Sequence, residues 1–346
     1  MQNSDSSSID EIDNLIEFKN FLKDWKPIFN LNQTNLILKD YFSSNSSNSN
    51  LIPKSLRNLS LDSINSLQRL IFNRTQIDRF PNYRRAAVLV GLFPSRSGHL
   101  NVLLTKRSKT MRTYAGQTAL PGGKFNSKDR NLEQTARREA FEECGLSLDY
   151  QKVKKLTSLD PFLTRGNLIV TPIVFFISDL SLMPSLNQNE VDTLFSHPLK
   201  SLLGLDSSLS INHSNQNLSH SPFSRSFDHS WFSTNSPYKL FEFPSKHSPI
   251  VGFTADVLLE VATIAYGREP YFQRKAPGQL SMSHIISIAL VEAPEFQTDH
   301  QAKTVQSHDI LEDGDRSLIG RFIDLWPFPL SNRLFLKSLG PLSSKL

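Results

Sequence analysis

Hydrophobic and polar residues alternate in blocks along the chain, and these blocks predict strands and helices in mixed order. The two longest apolar runs are AAVLVGLF, which starts at Ala86, and LIVTPIVFFI, which starts at Leu168. Runs of this length are typical of strands buried on both faces. The turn SRSGHL and the run NVLLTKR follow the first strand and predict a hairpin. A helix is predicted over Leu258–Tyr266, so a mixed sheet with helices on both faces fits best.

Composition divides the chain into three predicted regions. Residues 1–84 are predicted to form a helical and low-complexity N-terminal extension, with helices in DEIDNLIEFKNFLKDW and NSLQRLIF and the polar linker SSNSSNSN between them. Residues 85–272 form the main domain, which a flexible Ser/Asn/His-rich insertion at 206–248 interrupts. Three histidines of this insertion could hold a metal, although a flexible loop is favoured. Residues 273–346 are predicted to be a C-terminal extension.

Composition and charge limit the possible functions. The net charge is +5, which suits an anionic substrate but is too weak and scattered to predict a nucleic-acid partner. Cys144 is the single cysteine, so no intramolecular disulfide can form. The apolar runs are far shorter than the roughly 20 residues needed to span a bilayer. The polar, acidic N-terminus resembles neither a secretory signal nor a mitochondrial presequence.

The last three residues, Ser344, Lys345 and Leu346, spell the tripeptide SKL. This tripeptide at a C-terminus is the address that a peroxisomal import receptor reads. We therefore predict a peroxisomal location, with that receptor as a partner.

The stretch RREAFEECG, at 137–145, places three glutamates on one face of a predicted helix. Glu142 and Glu143 follow Glu139 by three and four residues, and like charges at this spacing cost roughly a few tenths of a kcal/mol per pair. A solvated acidic patch is one interpretation. The preceding LPGGK favours another, because a Gly-Gly turn lets backbone approach an ion closely. Mg²⁺ and Mn²⁺ prefer oxygen ligands and often share them with substrate phosphates, so we predict a divalent-metal site.

A stripe of small and apolar residues beside these glutamates predicts the buried side of the helix: Leu132, Ala136, Ala140 and Cys144.

The segment GGKFNSKDRNLEQTARREAFEECGL resembles the signature of the Nudix hydrolases, and REAFEECGL matches its REUxEExGU core. The resemblance implies an α/β/α sandwich with a mixed sheet that cleaves diphosphates linked to a nucleoside. Gly123 and Arg138 are one residue farther apart here than in the family pattern, and Asp129 stands near the position of a family glutamate.

A second segment, LLTKRSKTMRTYAGQTALPGG, resembles the motif of the coenzyme A diphosphatase branch, which tolerates the extra residue and the aspartate. The segments LDPFLTRGNLIVTPIV, NEVDTLFSHPL and GFTADVLLEVATIAYGREPYF agree in order, so the resemblance runs over about 85–272 apart from the insertion. It implies hydrolysis of coenzyme A, or of its disulfide or acyl derivatives. The products would be adenosine 3′,5′-bisphosphate and 4′-phosphopantetheine, and the cofactor would be Mg²⁺ or Mn²⁺.

The resemblance also implies roles for the residues of the signature. Glu139 and Glu143 would bind the metal together with the backbone carbonyl of Gly123. Glu142, Glu143 and Arg138 would be the catalytic residues. Arg138 would orient Glu139.

Outside the signature, the resemblance points to substrate contacts. Arg107 and Arg112 precede the metal loop and would bind phosphate oxygens, although ordinary surface pairing is as plausible for them. Glu190, in NEVDTLF, is a candidate further ligand or base, and a solvated loop acid fits it equally well.

Two other functions stay open at this point. One is a Nudix hydrolase for another substrate such as NADH, since LWPFPLS near the C-terminus is similar to part of a motif of NADH diphosphatases, though far from its usual place. The other is an inactive Nudix module that binds RNA or protein. The presence of all three glutamates disfavours the second.

Overall fold

The computed structural model describes residues 56, 59–75, 80–81, 83–179, 185–204, 225–230, 236–292 and 296. The helix predicted in DEIDNLIEFKNFLKDW, the linker SSNSSNSN, the segment LWPFPLS and the terminal tripeptide lie outside these residues. Every described element belongs to one compact unit, which runs to Gln297. In the described ranges, no helix has the length and apolar character needed to cross a bilayer.

The elements alternate along the chain as the hydrophobic pattern predicts. The helices of the described residues are α1 (Leu61–Ile71), α2 (Leu132–Cys144), α3 (Gly252–Tyr266) and α4 (Met282–Glu292). The strands are β1 (Arg85–Pro94), β2 (Leu100–Arg107), β3 (Thr118–Ala119), β4 (Gly122–Lys124), β5 (Val153–Ser158), β6 (Phe162–Leu163), β7 (Ile169–Ile177), β8 (Val191–Pro198), β9 (Arg225–Ser230), β10 (Pro237–Phe243) and β11 (Ile250–Val251). A short 3₁₀-helix follows β8 at Leu199–Leu203.

The main sheet is mixed, as the sequence predicts. Strand β1 is parallel to β7, while β5 pairs antiparallel with β7 and both β1 and β8 pair antiparallel with β2. Strand β1 pairs with β2 only at Leu92–Pro94, and at Ala86–Val88 its partner is β4. The two hairpin strands therefore diverge, and β4 lies against β1 where they separate.

Both faces of the sheet are buried, which confirms the α/β/α sandwich. Val88 and Val90 of β1 face the core that α1 and α3 cover. Leu89, the residue between them, faces the second core, which α2 covers through Ala136 and Ala140. Alternation along one strand thus supplies two cores, because successive side chains point to opposite faces.

Three predicted boundaries differ from the structure. Strands β9 and β10 form an antiparallel pair inside 206–248, the range predicted to be a flexible insertion. In β10, Tyr238 and Leu240 pack with Ile285 of α4, which itself lies beyond the predicted domain end at 272. Helix α1, from the predicted N-terminal extension, contributes Leu67 to the main core. In each case a short apolar segment is buried in a core although the sequence around it is polar.

A buried histidine gives the fold a defined acid sensitivity. His197 of β8 is 5% exposed, and its Nε2 lies 2.9 Å from the hydroxyl of Ser201. That hydroxyl donates to the carbonyl of Pro198, so Nε2–H is the donor to Ser201. Burial lowers the pKa of His197 from 6.5 to about 4.

We expect this histidine to destabilise the protein as the pH falls. The unfolded chain takes up the proton near pH 6.5 and the folded chain only near pH 4, so the stabilisation is complete above pH 6.5 and is lost between these values. Between pH 7 and pH 5 the loss is about 2 kcal/mol. Urea unfolding of the wild-type protein should show a lower free energy of unfolding at pH 5 than at pH 7. In His197→Gln this drop should be smaller by about 2 kcal/mol. The exposed His99→Gln should keep the wild-type drop, and equal drops in all three proteins would contradict the assignment.

Candidate active site

Helix α2 carries the glutamates and is fixed at both ends. The side chain of Asn131 caps its N-terminus by accepting a hydrogen bond from the Gln134 amide at 2.9 Å. Gly145 ends it in the left-handed conformation, at φ 69°. The predicted apolar stripe is confirmed: Ala136, Ala140 and Cys144 are buried against the sheet, and Leu132 packs beside them partly buried. The register of the glutamates relative to the sheet is therefore set by packing.

Two of the three glutamates meet at the guanidinium of Arg138. Its Nη1 lies 2.9 Å from Glu139 Oε1 and 3.1 Å from Glu142 Oε2. Glu142 is half exposed, whereas Glu143 is only 7% exposed. The acidic face therefore grades from a solvated end at Glu142 to a buried end at Glu143.

Arg138 is itself held by Asp129. The Nε and Nη2 atoms of Arg138 donate to the two oxygens of Asp129 at 3.0 and 2.9 Å, and Nη2 also donates to the Lys124 carbonyl. Thr135 donates to the same carboxylate. The bidentate Arg138 pair lowers the pKa of Asp129 to about 2. Asp129 thus fixes the guanidinium that contacts Glu139.

Two glycines let the backbone approach the carboxylates. The predicted Gly-Gly turn is instead the short strand β4, and a side chain at Gly122 would overlap the β1 backbone at Val88. A Cβ atom at Gly123 would lie 2.5 and 2.6 Å from the two carboxylate oxygens of Glu139. The amide of Gly122 donates to the carboxylate of Glu143. Both positions favour glycine because a Cβ atom would overlap the β1 backbone at Gly122 and the Glu139 carboxylate at Gly123.

Burial and mutual repulsion disfavour ionised glutamates in this site. Burial raises the pKa of Glu143 to about 8, the charge of Glu139 adds to the rise, and Arg107 opposes it. Burial also raises the pKa of Glu139, against the hydrogen bond from Arg138. The charge of Glu190 contributes to both shifts. A cation between these groups would favour their ionised forms.

Arg107 and Glu190 reach the site from two neighbouring loops. Arg107 ends β2, and its buried Nε has no hydrogen-bond partner among the described residues. The amide of Ser108 donates to the carbonyl of Glu190 at 2.8 Å, and the amide of Asn187 donates to the carbonyl of Glu143. These bonds tie both loops to the C-terminal half of α2.

Arg112, a predicted phosphate-binding residue, has no contact with the carboxylates among the hydrogen bonds and ion pairs of the described residues. It is exposed on the loop between β2 and β3. Arg137, the arginine before Arg138, pairs with Glu133 at 3.0 Å and not with the glutamates of the signature.

The carboxylates fit a divalent metal as a partial ligand set. In the part of the chain that the structure describes, no three Asp, Glu, His or Cys side chains are already grouped to hold one ion. Mg²⁺ commonly takes one or two carboxylates and completes its shell with water and substrate phosphates. Glu139, Glu143 and the Gly123 backbone supply such hard oxygen donors beside one another.

Asp129 is expected to act as a positioning residue. Asp129→Asn removes the charge that holds Arg138, so Arg138 and Glu139 lose their fixed orientation. We expect activity to fall roughly 10- to 100-fold, with a higher Mn²⁺ concentration needed for half-maximal rate. Diphosphate hydrolysis across a Mn²⁺ titration measures both effects. Asp192→Asn removes an exposed carboxylate that pairs with Lys106 and should change neither; an equal loss in the two variants would refute the role.

Sequence reasoning gave no role to Asp129 and, although it named Glu190 as a candidate, it did not predict that the loop before β8 packs on α2. The signal for Asp129 was its position near a family glutamate, which the extra loop residue obscured. The loop is far from Glu143 in sequence, so the hydrogen bond from the Asn187 amide to the Glu143 carbonyl could not be predicted.

Comparisons with known proteins agree with this geometry. A family model described as "NUDIX domain" matches residues 82–216. "Nudix hydrolase 15, mitochondrial" of Arabidopsis thaliana is 36% identical over 203 residues, which are 58% of this chain and 65% of that protein. "Peroxisomal coenzyme A diphosphatase 1, peroxisomal" of Saccharomyces cerevisiae is 34% identical over 168 residues, 40% of this chain and 49% of that protein.

A bacterial relative is covered more completely. The Nudix hydrolase NudL of Shigella flexneri serotype 5b is 37% identical over 151 residues, which are 43% of this chain and 74% of that protein. Of the plant and yeast relatives, by contrast, the chain spans between about half and two thirds of the length.

Proposed function

The chain belongs to the Nudix hydrolase family, and from this premise we propose that it hydrolyses the diphosphate bond of coenzyme A or its derivatives. The products would be adenosine 3′,5′-bisphosphate and 4′-phosphopantetheine. The diphosphatase motif in Leu103–Gly123 and the similarity to the yeast coenzyme A diphosphatase support this substrate over other nucleoside diphosphates.

One observation carries the proposal: the carboxylate of Glu143 is buried, and the charges of both Glu139 and Arg107 act on it. Carboxylates that repel one another suit a cation, while an arginine with a buried, unpartnered Nε suits an anion. A diphosphate that carries a divalent metal offers both charges at once.

Different residues would bind the metal and the phosphate. Glu139, Glu143 and the Gly123 carbonyl would hold Mg²⁺ or Mn²⁺, and Arg138 would keep Glu139 in place. When bound, such a metal neutralises phosphate charge and lowers the pKa of a coordinated water. Arg107 would donate to a phosphate oxygen and stabilise the charge that develops on the leaving group.

A glutamate would take the proton from the attacking water. Glu142 is solvated and close to Glu139, whereas Glu190 faces Glu139 and Glu143 from the loop before β8. Either would be a candidate general base, because both are carboxylates whose charges act on a proposed metal ligand. Arg112, exposed on its loop, would meet the phosphates only from the solvent side.

Product analysis tests the proposal directly. Purified protein is incubated with coenzyme A, its disulfide or NADH, each with Mg²⁺ or Mn²⁺, and the products are identified by mass spectrometry. We expect adenosine 3′,5′-bisphosphate from coenzyme A or its disulfide. Faster cleavage of NADH would reassign the substrate, and no cleavage of any diphosphate with either metal would contradict a hydrolase.

We further propose a peroxisomal location. The tripeptide Ser344–Leu346 and the similarity to a yeast protein named as peroxisomal support it, whereas the similar plant protein is named as mitochondrial. Deletion of residues 344–346 should move a fluorescent fusion out of peroxisomes, and retention there would rule out the tripeptide as the signal.

A further inference from the structure

Tyr114 stands out on the loop that connects β2 and β3. Its φ angle is +55°, in the left-handed region, which bulky side chains rarely adopt. Its side chain is 51% exposed. A residue in this conformation costs on the order of 1–3 kcal/mol and persists only where the surrounding structure fixes it. The chain therefore maintains an unfavourable backbone conformation that presents an aromatic ring to solvent.

The hydrogen bonds of the loop explain how this conformation is held. The Gln117 amide donates to the Tyr114 carbonyl at 3.2 Å, and the Gly116 amide donates to the Arg107 carbonyl at 3.1 Å. Arg107 in turn donates its amide to the Gln117 carbonyl at 2.9 Å. Tyr114 is thus tied through a closed turn to the arginine that faces Glu143.

These bonds also limit the distance between the ring and the carboxylates. Gly116 and Arg107 are paired, and Tyr114 lies two residues from Gly116. The Cα atoms of Tyr114 and Arg107 are therefore at most about 13 Å apart. The loop that bears Tyr114 is bound in addition to the loop of Glu190, through the Ser108 amide. Tyr114 is therefore an exposed aromatic residue within this distance of Arg107.

The ring has no structural partner that would account for its position. Within the described residues, its hydroxyl makes no hydrogen bond and its ring makes no aromatic contact, and half of its surface meets water. Base stacking on an exposed aromatic ring is tolerant of sequence because every base has a π-face. The other half of the proposed substrate, the pantetheine arm, has no such face.

Resting on the proposed function, we infer that Tyr114 is the platform on which the adenine base of the substrate stacks. Arg107 would hold the diphosphate while Tyr114 holds the base, one ribose away. Tyr114 would thereby select substrates that carry a nucleobase and contribute to binding rather than to bond cleavage. It would be a specificity-determining residue, distinct from the metal ligands.

Tyr114→Ala should raise the KM for coenzyme A and the Kd for adenosine 3′,5′-bisphosphate by about tenfold or more, with kcat nearly unchanged. Tyr114→Phe keeps the ring and should restore both values. Binding of ribose 5-phosphate, which has no base, should not change in Tyr114→Ala. Tyr271→Ala removes an even more exposed tyrosine outside the site and serves as the matched control.

The binding arm separates this inference from the proposed function. If coenzyme A is not hydrolysed but the adenosine bisphosphate binds in a Tyr114-dependent manner, the stacking role holds and the hydrolase proposal fails. If coenzyme A is hydrolysed while Tyr114→Ala keeps the wild-type KM and Kd, the stacking role is overturned. It is also overturned if the wild-type protein binds the adenosine bisphosphate no better than ribose 5-phosphate.

Discussion

Glu143→Gln is expected to lower kcat/KM for coenzyme A by about 10³-fold, the largest effect of any single change in this chain. The variant keeps the shape of the side chain and an acceptor for the Gly122 amide, but it removes the charge at the buried end of the acidic face. A loss of this size corresponds to about 4 kcal/mol of transition-state stabilisation. Turnover of coenzyme A under saturating Mn²⁺ measures it.

Glu143→Gln should not lower the free energy of unfolding. Its loss of activity can therefore be distinguished from a loss of folded protein. Burial disfavours the ionised form of Glu143, so a neutral amide at this position should leave the free energy of unfolding in metal-free buffer equal or higher. Mn²⁺ should raise the melting temperature of the wild-type protein and not that of the variant. Glu269→Gln, a change at a mostly exposed glutamate that pairs with Arg274, should match the wild-type protein in all three measurements. A wild-type rate in Glu143→Gln would remove the metal-ligand assignment.

The sequence pattern predicted those features that depend on local periodicity. The runs at Ala86 and Leu168 form buried strands: every residue of the first is buried except the half-buried Phe93, and so is every residue of Ile169–Ile177. The stripe of Ala136, Ala140 and Cys144 likewise identified the buried side of α2, because a helix places residues four apart on one face. These predictions hold because local spacing and burial agree.

Features that depend on distant contacts could not be predicted in the same way. The pairing of Arg138 with Asp129 requires the chain to turn back on itself between β4 and α2. The approach of Glu190 to Glu143 requires the loop before β8 to pack on the end of α2, where the amide of Ser185 donates to the carbonyl of Cys144. Neither contact leaves a periodic pattern in the sequence from which it could be predicted. The resemblance to a family supplied roles for such residues, but it did not supply their partners.

Strand β10 was missed for a different reason, because its local periodicity is present in the sequence but the composition of the surrounding segment masks it. The segment PYKLFEF alternates and buries Tyr238 and Leu240 on one side and Phe241 and Phe243 on the other. Its neighbours are rich in serine and asparagine, so composition averaged over 206–248 predicted a loop. A window that is longer than one strand loses the period-2 signal.

Gly123→Ala should lower kcat/KM by about 10²-fold while changing the free energy of unfolding by about 1 kcal/mol or less. The added methyl would meet the carboxylate of Glu139, which is the far end of a flexible side chain and can move aside at little cost to stability. The same movement would take Glu139 away from Arg138 and from its place beside Gly123, and so would dismantle the proposed metal site. The matching measurements are coenzyme A turnover across a Mn²⁺ titration and urea unfolding without metal.

Two other glycines make this result interpretable. In Gly122→Ala the methyl would meet the β1 backbone at Ala87 and Val88, which cannot move aside, so stability should fall clearly more than in Gly123→Ala. Gly166→Ala places its methyl in open space and should resemble the wild-type protein in rate and stability. If Gly123→Ala kept full activity, Glu139 would not need its position against the β4 backbone, and the shared site of Glu139, Glu143 and Gly123 would be wrong. If it lost stability as Gly122→Ala does, the close approach at Gly123 would serve the sheet rather than the metal.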